Sequence, residues 1–268
     1  MRGSPVIGER IIPEEFKVAR QQYLLYLRHV FAYDFAIKMI PRESTVLEVG
    51  CGGGYGTYLL SQKVGKVIGL DIDKSAIAYV TEKYGSENCV FSTYDGTKIP
   101  YAEETFNAVL SFQVIEHVED DLNYVARIFS VLKPGGIFLL TTPNKTYRLK
   151  PGQKPWNRYH KREYYPDELA ELLRHKFPDV CVWGIRGNEE VQNLELEKMK
   201  HRSSVVSFFR RMVPEWLKLV MIKFWQRLSG LGAGGKNKEF LNKYSIKDFY
   251  VIKDNVEESL DLLAVCRK

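Results

Sequence analysis

The chain has 268 residues, of which 45% are hydrophobic, 27% charged and 13% aromatic. That is too apolar for disorder and long enough for one large α/β core. The net charge of +6 is concentrated in one stretch: Lys198 to Arg227 carries eight basic side chains and one acid, Glu215, leaving the rest nearly neutral. Cys51, Cys89, Cys181 and Cys266 lie far apart with no C-x-x-C pair, which excludes a zinc frame or a disulfide scaffold and points to a reducing compartment. No run of about 18 apolar residues is available to cross a bilayer. Met1-Arg2-Gly3-Ser4-Pro5 is not followed by an apolar core of signal-peptide type, so a soluble cytoplasmic protein is expected.

Residues 10–40 read as helical, with Phe16, Tyr23, Leu24, Leu27, Phe31 and Phe35 at spacings of three, four and seven, and Pro41 ending the pattern. From Thr45 short apolar runs alternate with helical stretches. The runs are Val46–Val49, Val67–Leu70, Cys89–Phe91, Ala108–Leu110 and Ile137–Leu140; the helices cover about 57–63, 75–84 and 121–132. Such alternation implies parallel strands joined by right-handed crossovers in a doubly wound α/β sheet, and continuous apolar runs fit strands covered on both faces. Pro166 opens a further helix over 166–177, a strand follows at 180–186, and Leu260–Cys266 reads as the last strand. The roughly 70 residues between those two strands are far more than a hairpin needs. Three regions result: an N-terminal helical lid (1–40), a core (41–187 with 259–268) and a mainly helical basic insertion (188–258).

The segment Leu47-Glu48-Val49-Gly50-Cys51-Gly52-Gly53-Gly54-Tyr55-Gly56 lies between the first strand and a helix, where backbone amides can hold the negative end of a ligand. The G-x-G-x-x-G frame of nicotinamide proteins fails, because Tyr55 or Thr57 falls where the third glycine belongs. The frame that fits is acid-x-Gly-x-Gly-x-Gly. A carboxylate at Glu48 would repel a pyrophosphate but suits a ligand carrying an amine or another cation. Asp71 ends the second strand 21 residues after Gly50, the distance at which an acid accepts ribose hydroxyls. Asp73 caps the next helix. Asp95, before Gly96, ends the third strand and can accept from an adenine amine.

Together these residues resemble the class I S-adenosylmethionine-dependent methyltransferases. The resemblance rests on Leu47–Gly54, Gly69-Leu70-Asp71-Ile72, Asp95 with Ile99-Pro100-Tyr101, Phe106-Asn107-Ala108-Val109 and Leu132-Lys133-Pro134-Gly135-Gly136. It implies a Rossmann-like, doubly wound, mainly parallel sheet of seven strands with the last antiparallel, and S-adenosylmethionine as cofactor. By position it implies Glu48, Gly50, Cys51, Gly52 and Gly54 near the methionine part, Asp71 at the ribose and Asp95 at the adenine amine, with Ile72, Gly96 and Gln113 also at the cofactor pocket. Lys133–Gly136 is expected as a turn before the fifth strand. Arg28, His29 and Tyr33 on the N-terminal helix are expected to close over the cofactor.

Methyl transfer from a sulfonium needs alignment of nucleophile, methyl and sulfur, and a hydroxyl nucleophile also benefits from a base. Val114-Ile115-Glu116-His117-Val118 is similar to the Ile-Glu-His motif of small-molecule and quinone O-methyltransferases, some of which hold a divalent metal there. Gln113 stands where another acid would be wanted, so no metal is expected. His117 is read as a proton acceptor, with Glu116 beside it, or else as a helix-start residue that shapes the pocket. His160 lies in the aromatic, donor-rich loop Trp156–Tyr165, and the run from Thr142 to Tyr164 is similar to methyltransferases of bacterial surface-polysaccharide gene clusters. His175 and His201 are expected at the surface. The leading reading is therefore O-methylation of a sugar, glycan or glycolipid hydroxyl. O-methylation of a quinone or other small molecule, and a cofactor-binding scaffold without turnover, are the alternatives. Residues 204–228 fit an interfacial helix on anionic lipid at the inner face of a membrane, or a packed helical cap on the sheet or a second subunit; nucleic acid fits poorly.

Overall fold

A computed structural model describes residues 11–149, 152–155, 157–198 and 239–268. The basic helix expected over 204–228, together with Trp156 and His201, lies outside these described residues. After a short turn α1 (Pro13–Phe16), helix α2 (Arg20–Met39) leads into β1 (Thr45–Val49), α3 (Tyr55–Ser61), β2 (Lys66–Asp71), α4 (Lys74–Tyr84) and β3 (Cys89–Thr93). Then come β4 (Phe106–Phe112), α5 (Asp121–Val131), β5 (Leu132–Pro143), α6 (Lys145–Arg148), α7 (Pro166–Arg174) and β6 (Asp179–Gly187). Residues 189–198 are helical, and β7 (Phe249–Ile252) and β8 (Asp261–Arg267) close the sheet.

The strands form one sheet in the order β3-β2-β1-β4-β5-β8-β6-β7. β1 to β5 pair in parallel, whereas β8 runs antiparallel to both β5 and β6. The chain reverses its strand order between β1 and β4, and sheets of this kind bind ligands at the carboxyl edge beside that reversal. Consecutive strand residues feed opposite layers. Val46, Leu110, Leu139 and Leu263 join the core under α2 and α3, while Leu47, Val109, Leu140 and Leu262 join the core under α5 and α7. That division explains why the apolar runs are continuous rather than alternating. Leu24 and Leu27 of α2 are buried in the first layer. Their burial contributes roughly 3–6 kcal/mol, so α2 is a layer of the core and not a loose flap.

Two sequence expectations change. The sheet has eight strands, not seven, because Phe249-Tyr250-Val251-Ile252 pairs antiparallel with β6 from Gly184 to Gly187. This short aromatic and β-branched strand comes from the stretch read as mainly helical. It covers the edge that β6 would otherwise expose. Lys133–Gly136, expected as a turn before the fifth strand, is instead taken into the start of β5, with Gly135 at φ +73° and a register irregularity against β4. Gly135 N donates to Lys268 O at 2.8 Å, so the carboxyl end of the chain satisfies the displaced backbone. Among the described residues, no helix is long and apolar enough to cross a membrane.

Candidate cofactor and acceptor site

After β1 the chain turns sharply at Gly50, whose φ of +80° lies in the left-handed region. A Cβ there would also stand 2.4 Å from Val114 Cγ2, so only glycine fits. Gly50 N and Cys51 N donate to Leu70 O at 2.7 and 2.9 Å, and Gly52 N donates to Asp71 Oδ2 at 2.9 Å. The glycine loop, with Gly54 as the residue preceding α3, is thus tied to the end of β2. Asp71 also accepts from Asp73 N at 3.0 Å, and Asp73 caps α4 through Ser75 N and Ala76 N. Asp71 therefore organises the loop by tying Gly52 N and Asp73 N to the end of β2.

Glu48 is almost wholly buried. Its two oxygens accept from Tyr33 Oη and, at 2.5 Å, from Thr57 Oγ1. Burial pushes its carboxyl up to about 7, against the pull of those two donors. Tyr33 reaches Glu48 from α2 because Gly56 lacks a side chain: a Cβ there would lie 1.9 Å from the Tyr33 ring. Tyr33, expected above the cofactor, instead lies beneath the loop and packs edge-on against Phe112. Both Glu48 oxygens are thus held by protein donors, and with its carboxyl pushed up to about 7 the group is part-protonated near neutral pH. Arg28 is likewise buried, its Nε 2.8 Å from Asp261 Oδ2.

At the adenine end, Ile72 is 66% exposed at the carboxyl end of β2, an unusual position for a large aliphatic residue with nothing bound. Its Cγ2 lies 3.3 Å from where a Gly96 Cβ would sit, so the missing side chain keeps a slot open beside it. Asp95 is exposed and folds onto Thr97 N and Lys98 N, both at 2.7 Å, which lowers its carboxyl to about 2. Thr93, Tyr94, Asp95 and residues Lys98 to Tyr101 line a cavity of about 460 Å³ next to this slot. Gln113 follows β4 with φ +57°, a left-handed backbone held by Gln113 N donating to Thr141 O at 2.8 Å. Non-glycine residues held there cluster at functional sites.

On the other side of β4 the structure brings together Glu116, His117 and His160. Glu116 O accepts from Lys161 N at 2.7 Å and Arg162 N at 3.3 Å, pinning the long loop after β5 to the start of the segment after β4. Asn144 anchors the loop's root through Val256 O and Ser259 O, both at 3.0 Å. Farther along, Arg162 and Tyr164 both reach Asp121 Oδ2 at 2.9 Å. As a result the two imidazoles, 43 residues apart in sequence, meet edge to face with centroids 4.8 Å apart. Glu116 is buried, accepts from Thr142 Oγ1 at 3.0 Å, and is pushed up to about 7 by burial, partly offset by His160. Donor atoms of Glu116, His117 and His160 lie within 4.8 Å of one another, so the trio could also hold a divalent metal ion. The third donor comes from a loop that local spacing around Gln113 does not reveal. Sequence reading also left Thr57, Thr142, Arg148 and Glu163 unassigned, because each acts through a partner distant in the chain. His175 is exposed.

A family profile described as a methyltransferase domain matches residues 47–140, the span from the glycine loop to β5. The chain is 38% identical over 63% of its length to a probable S-adenosylmethionine-dependent methyltransferase of Mycolicibacterium smegmatis. It is 31% identical over 74% of its length to another so described from Mycobacterium tuberculosis. The match spans 63% of the first relative's length and 69% of the second's. A ubiquinone biosynthesis O-methyltransferase of Hahella chejuensis is 31% identical over 51% of the chain and 63% of its own length. In fold, the chain superposes on the crystal structure of a S-adenosylmethionine-dependent methyltransferase from Thermotoga maritima with a TM-score of 0.55, at 16% identity, covering 95% of this chain and 98% of that one. The chain belongs to the S-adenosylmethionine-dependent methyltransferases, and its cofactor is S-adenosylmethionine.

Proposed function

We propose that this chain transfers the methyl group of S-adenosylmethionine to a hydroxyl, and that the acceptor is a sugar, glycan or glycolipid precursor. The observation that carries the hydroxyl is the meeting of His117, His160 and buried Glu116 at the carboxyl edge beside β4. An amine or thiol acceptor needs little proton management, whereas a hydroxyl gains from a base. Bound S-adenosylmethionine would supply an activated methyl group on a sulfonium, which leaves as the neutral thioether when the acceptor oxygen takes the methyl. The imidazoles of His117 and His160 would accept the hydroxyl proton that this transfer releases. The loop bearing Arg158, Tyr159 and Arg162 supplies an exposed aromatic face and forked donors, which suit a polyhydroxylated ring. A quinol acceptor is the second reading, favoured by the similarity to a ubiquinone biosynthesis O-methyltransferase. The expected partner is thus a small-molecule or glycan acceptor rather than nucleic acid. A lipid-linked acceptor would give the basic stretch 204–228 a membrane role.

Calorimetry with S-adenosylmethionine should show one site per chain, and absence of binding by the folded protein would end this reading. Turnover against sugar nucleotides, polyprenyl-linked glycans and dihydroxyphenols then separates the two acceptor classes. His117→Ala or His160→Ala should slow turnover at saturating cofactor with cofactor affinity held. If neither variant slows it, the base assignment is wrong.

A further inference from the structure

We infer that Glu163 is a positioning residue for proton transfer, fixing His160 with its proton on Nδ1 and its lone pair on Nε2. The inference rests on the hydroxyl-methylation reading for its purpose, though not for its geometry. His160 Nδ1 lies 2.8 Å from Glu163 Oε1, and the two side chains are 3% and 0% exposed. A carboxylate accepts, so the shared proton is carried by the ring nitrogen. The Arg148 guanidinium stands 3.4 Å from the same Oε1 and holds the carboxylate from the other side.

His117 reaches the same state by a different route. Its Nδ1 lies 3.2 Å from Tyr159 O, a carbonyl that can only accept, so Nδ1 again carries the hydrogen. The two imidazoles that meet edge to face therefore share one tautomer, one set by the main chain and the other by Glu163. When a proton arrives on His160 Nε2, the resulting cation is balanced across 2.8 Å by a carboxylate already in place.

The arrangement is poor as a stabilising ion pair. Glu163 Oε2 and Arg148 Nε are both buried without a hydrogen-bond partner. A buried pair placed for stability satisfies its remaining polar atoms. This one spends its best contact on a histidine. Among the described residues, Glu163 is the carboxylate through which Arg148 and His160 are joined.

The test reads the tautomer without any acceptor. The chain has five histidines, and 15N-histidine labelling at pH 8, with the His160 signals assigned by their loss in His160→Asn, reports which ring nitrogen is protonated. In the wild-type protein the expected result is a protonated Nδ1 and an unprotonated Nε2. In Glu163→Gln the His160 signals should move towards a mixture of tautomers, with those of His117 unchanged. A wild-type His160 protonated on Nε2, or a spectrum unaffected by Glu163→Gln, overturns the inference. With any hydroxyl acceptor found in the panel, Glu163→Gln should lower kcat at least tenfold while acceptor KM and cofactor Kd stay within about twofold. A loss confined to KM would make Glu163 a binding residue and refute the positioning role. Failure of cofactor binding or of hydroxyl turnover in the wild-type protein would instead strike the proposed function and leave the tautomer result standing.

Discussion

Removing the Tyr33 hydroxyl isolates what holds the cofactor loop to the helix behind it. Glu48 is pushed up to about 7 from an ordinary 4.5, so the folded protein holds that proton more tightly than the unfolded chain. Its contribution to stability is complete below about pH 4.5 and is lost as pH rises through about 7. Over those two and a half pH units the loss is about 3 kcal/mol, at 1.36 kcal/mol per unit. Tyr33→Phe keeps the ring against Phe112 and Tyr55 but removes one of the donors pulling the carboxyl down. The window of loss should then extend above pH 7. A buried carboxylate short of one donor costs about 1–3 kcal/mol, whereas the protonated acid at low pH is far less demanding. For a chain of this size that is a fall of about 2–12 °C in the unfolding midpoint at pH 8, and a markedly smaller one at pH 5. Thermal scans of both proteins across that range decide it. An equal drop at both pH values, or none at pH 8, refutes the role given to the Tyr33–Glu48 contact.

The same carboxyl should govern cofactor affinity: S-adenosylmethionine, which carries a sulfonium and an ammonium, should bind several-fold tighter at pH 8 than at pH 6, and calorimetry on Glu48→Gln should abolish that difference. Gly56→Ala should displace α2, since a Cβ 1.9 Å from the Tyr33 ring has no room; a loss of about 3 kcal/mol or more in denaturant unfolding is expected, and a near-neutral variant would contradict the packing. Asp71→Asn removes the charge that Gly52 N and Asp73 N point at, so cofactor affinity should fall at least tenfold with the fold retained by circular dichroism. Liposome co-sedimentation with and without anionic lipid tests the basic stretch 204–228, and pelleting that ignores lipid charge removes the membrane role.

Much of the fold could be read from the chain because its strands are covered on both faces. Val67–Leu70 and Ile137–Leu140 are apolar without interruption and Val46–Val49 is broken only by Glu48; β1 and β2 lie within a residue of their expected bounds, whereas β5 runs from Leu132 to Pro143, well beyond the expected Ile137–Leu140. β7 escaped because four residues, Phe249 to Ile252, sit on an edge between a capped turn at Ser245 and a left-handed Asn255. In a segment so short, the pairing that defines a strand comes from β6 and not from local pattern. The start of β5 was misjudged for the converse reason. Pro134-Gly135-Gly136 carries every local mark of a turn, yet Lys268 supplies the hydrogen bonds that keep it in the sheet.

The two halves of the site differ in the same way. On the cofactor side, Glu48, Gly50, Asp71 and Asp95 fall at or just after successive strand ends, so their spacing is enough to propose them as a set. On the acceptor side, nothing local links Glu116 to Lys161 or His160 to Arg148; they meet because Glu116 O takes two amides from the loop after β5. The amides on Glu116 O, together with the Tyr159 O contact to His117, set the distance between the two imidazoles. A substitution that forces this loop off Glu116 should therefore impair methyl transfer while cofactor binding, expected mainly at the ends of β1 to β3, is left alone. Replacing Lys161 with proline deletes the 2.7 Å amide donor, leaves the 3.3 Å donor from Arg162 N, and restricts the backbone of His160 before it. If that variant turned over as fast as the wild-type protein, the loop register would not be what assembles the base.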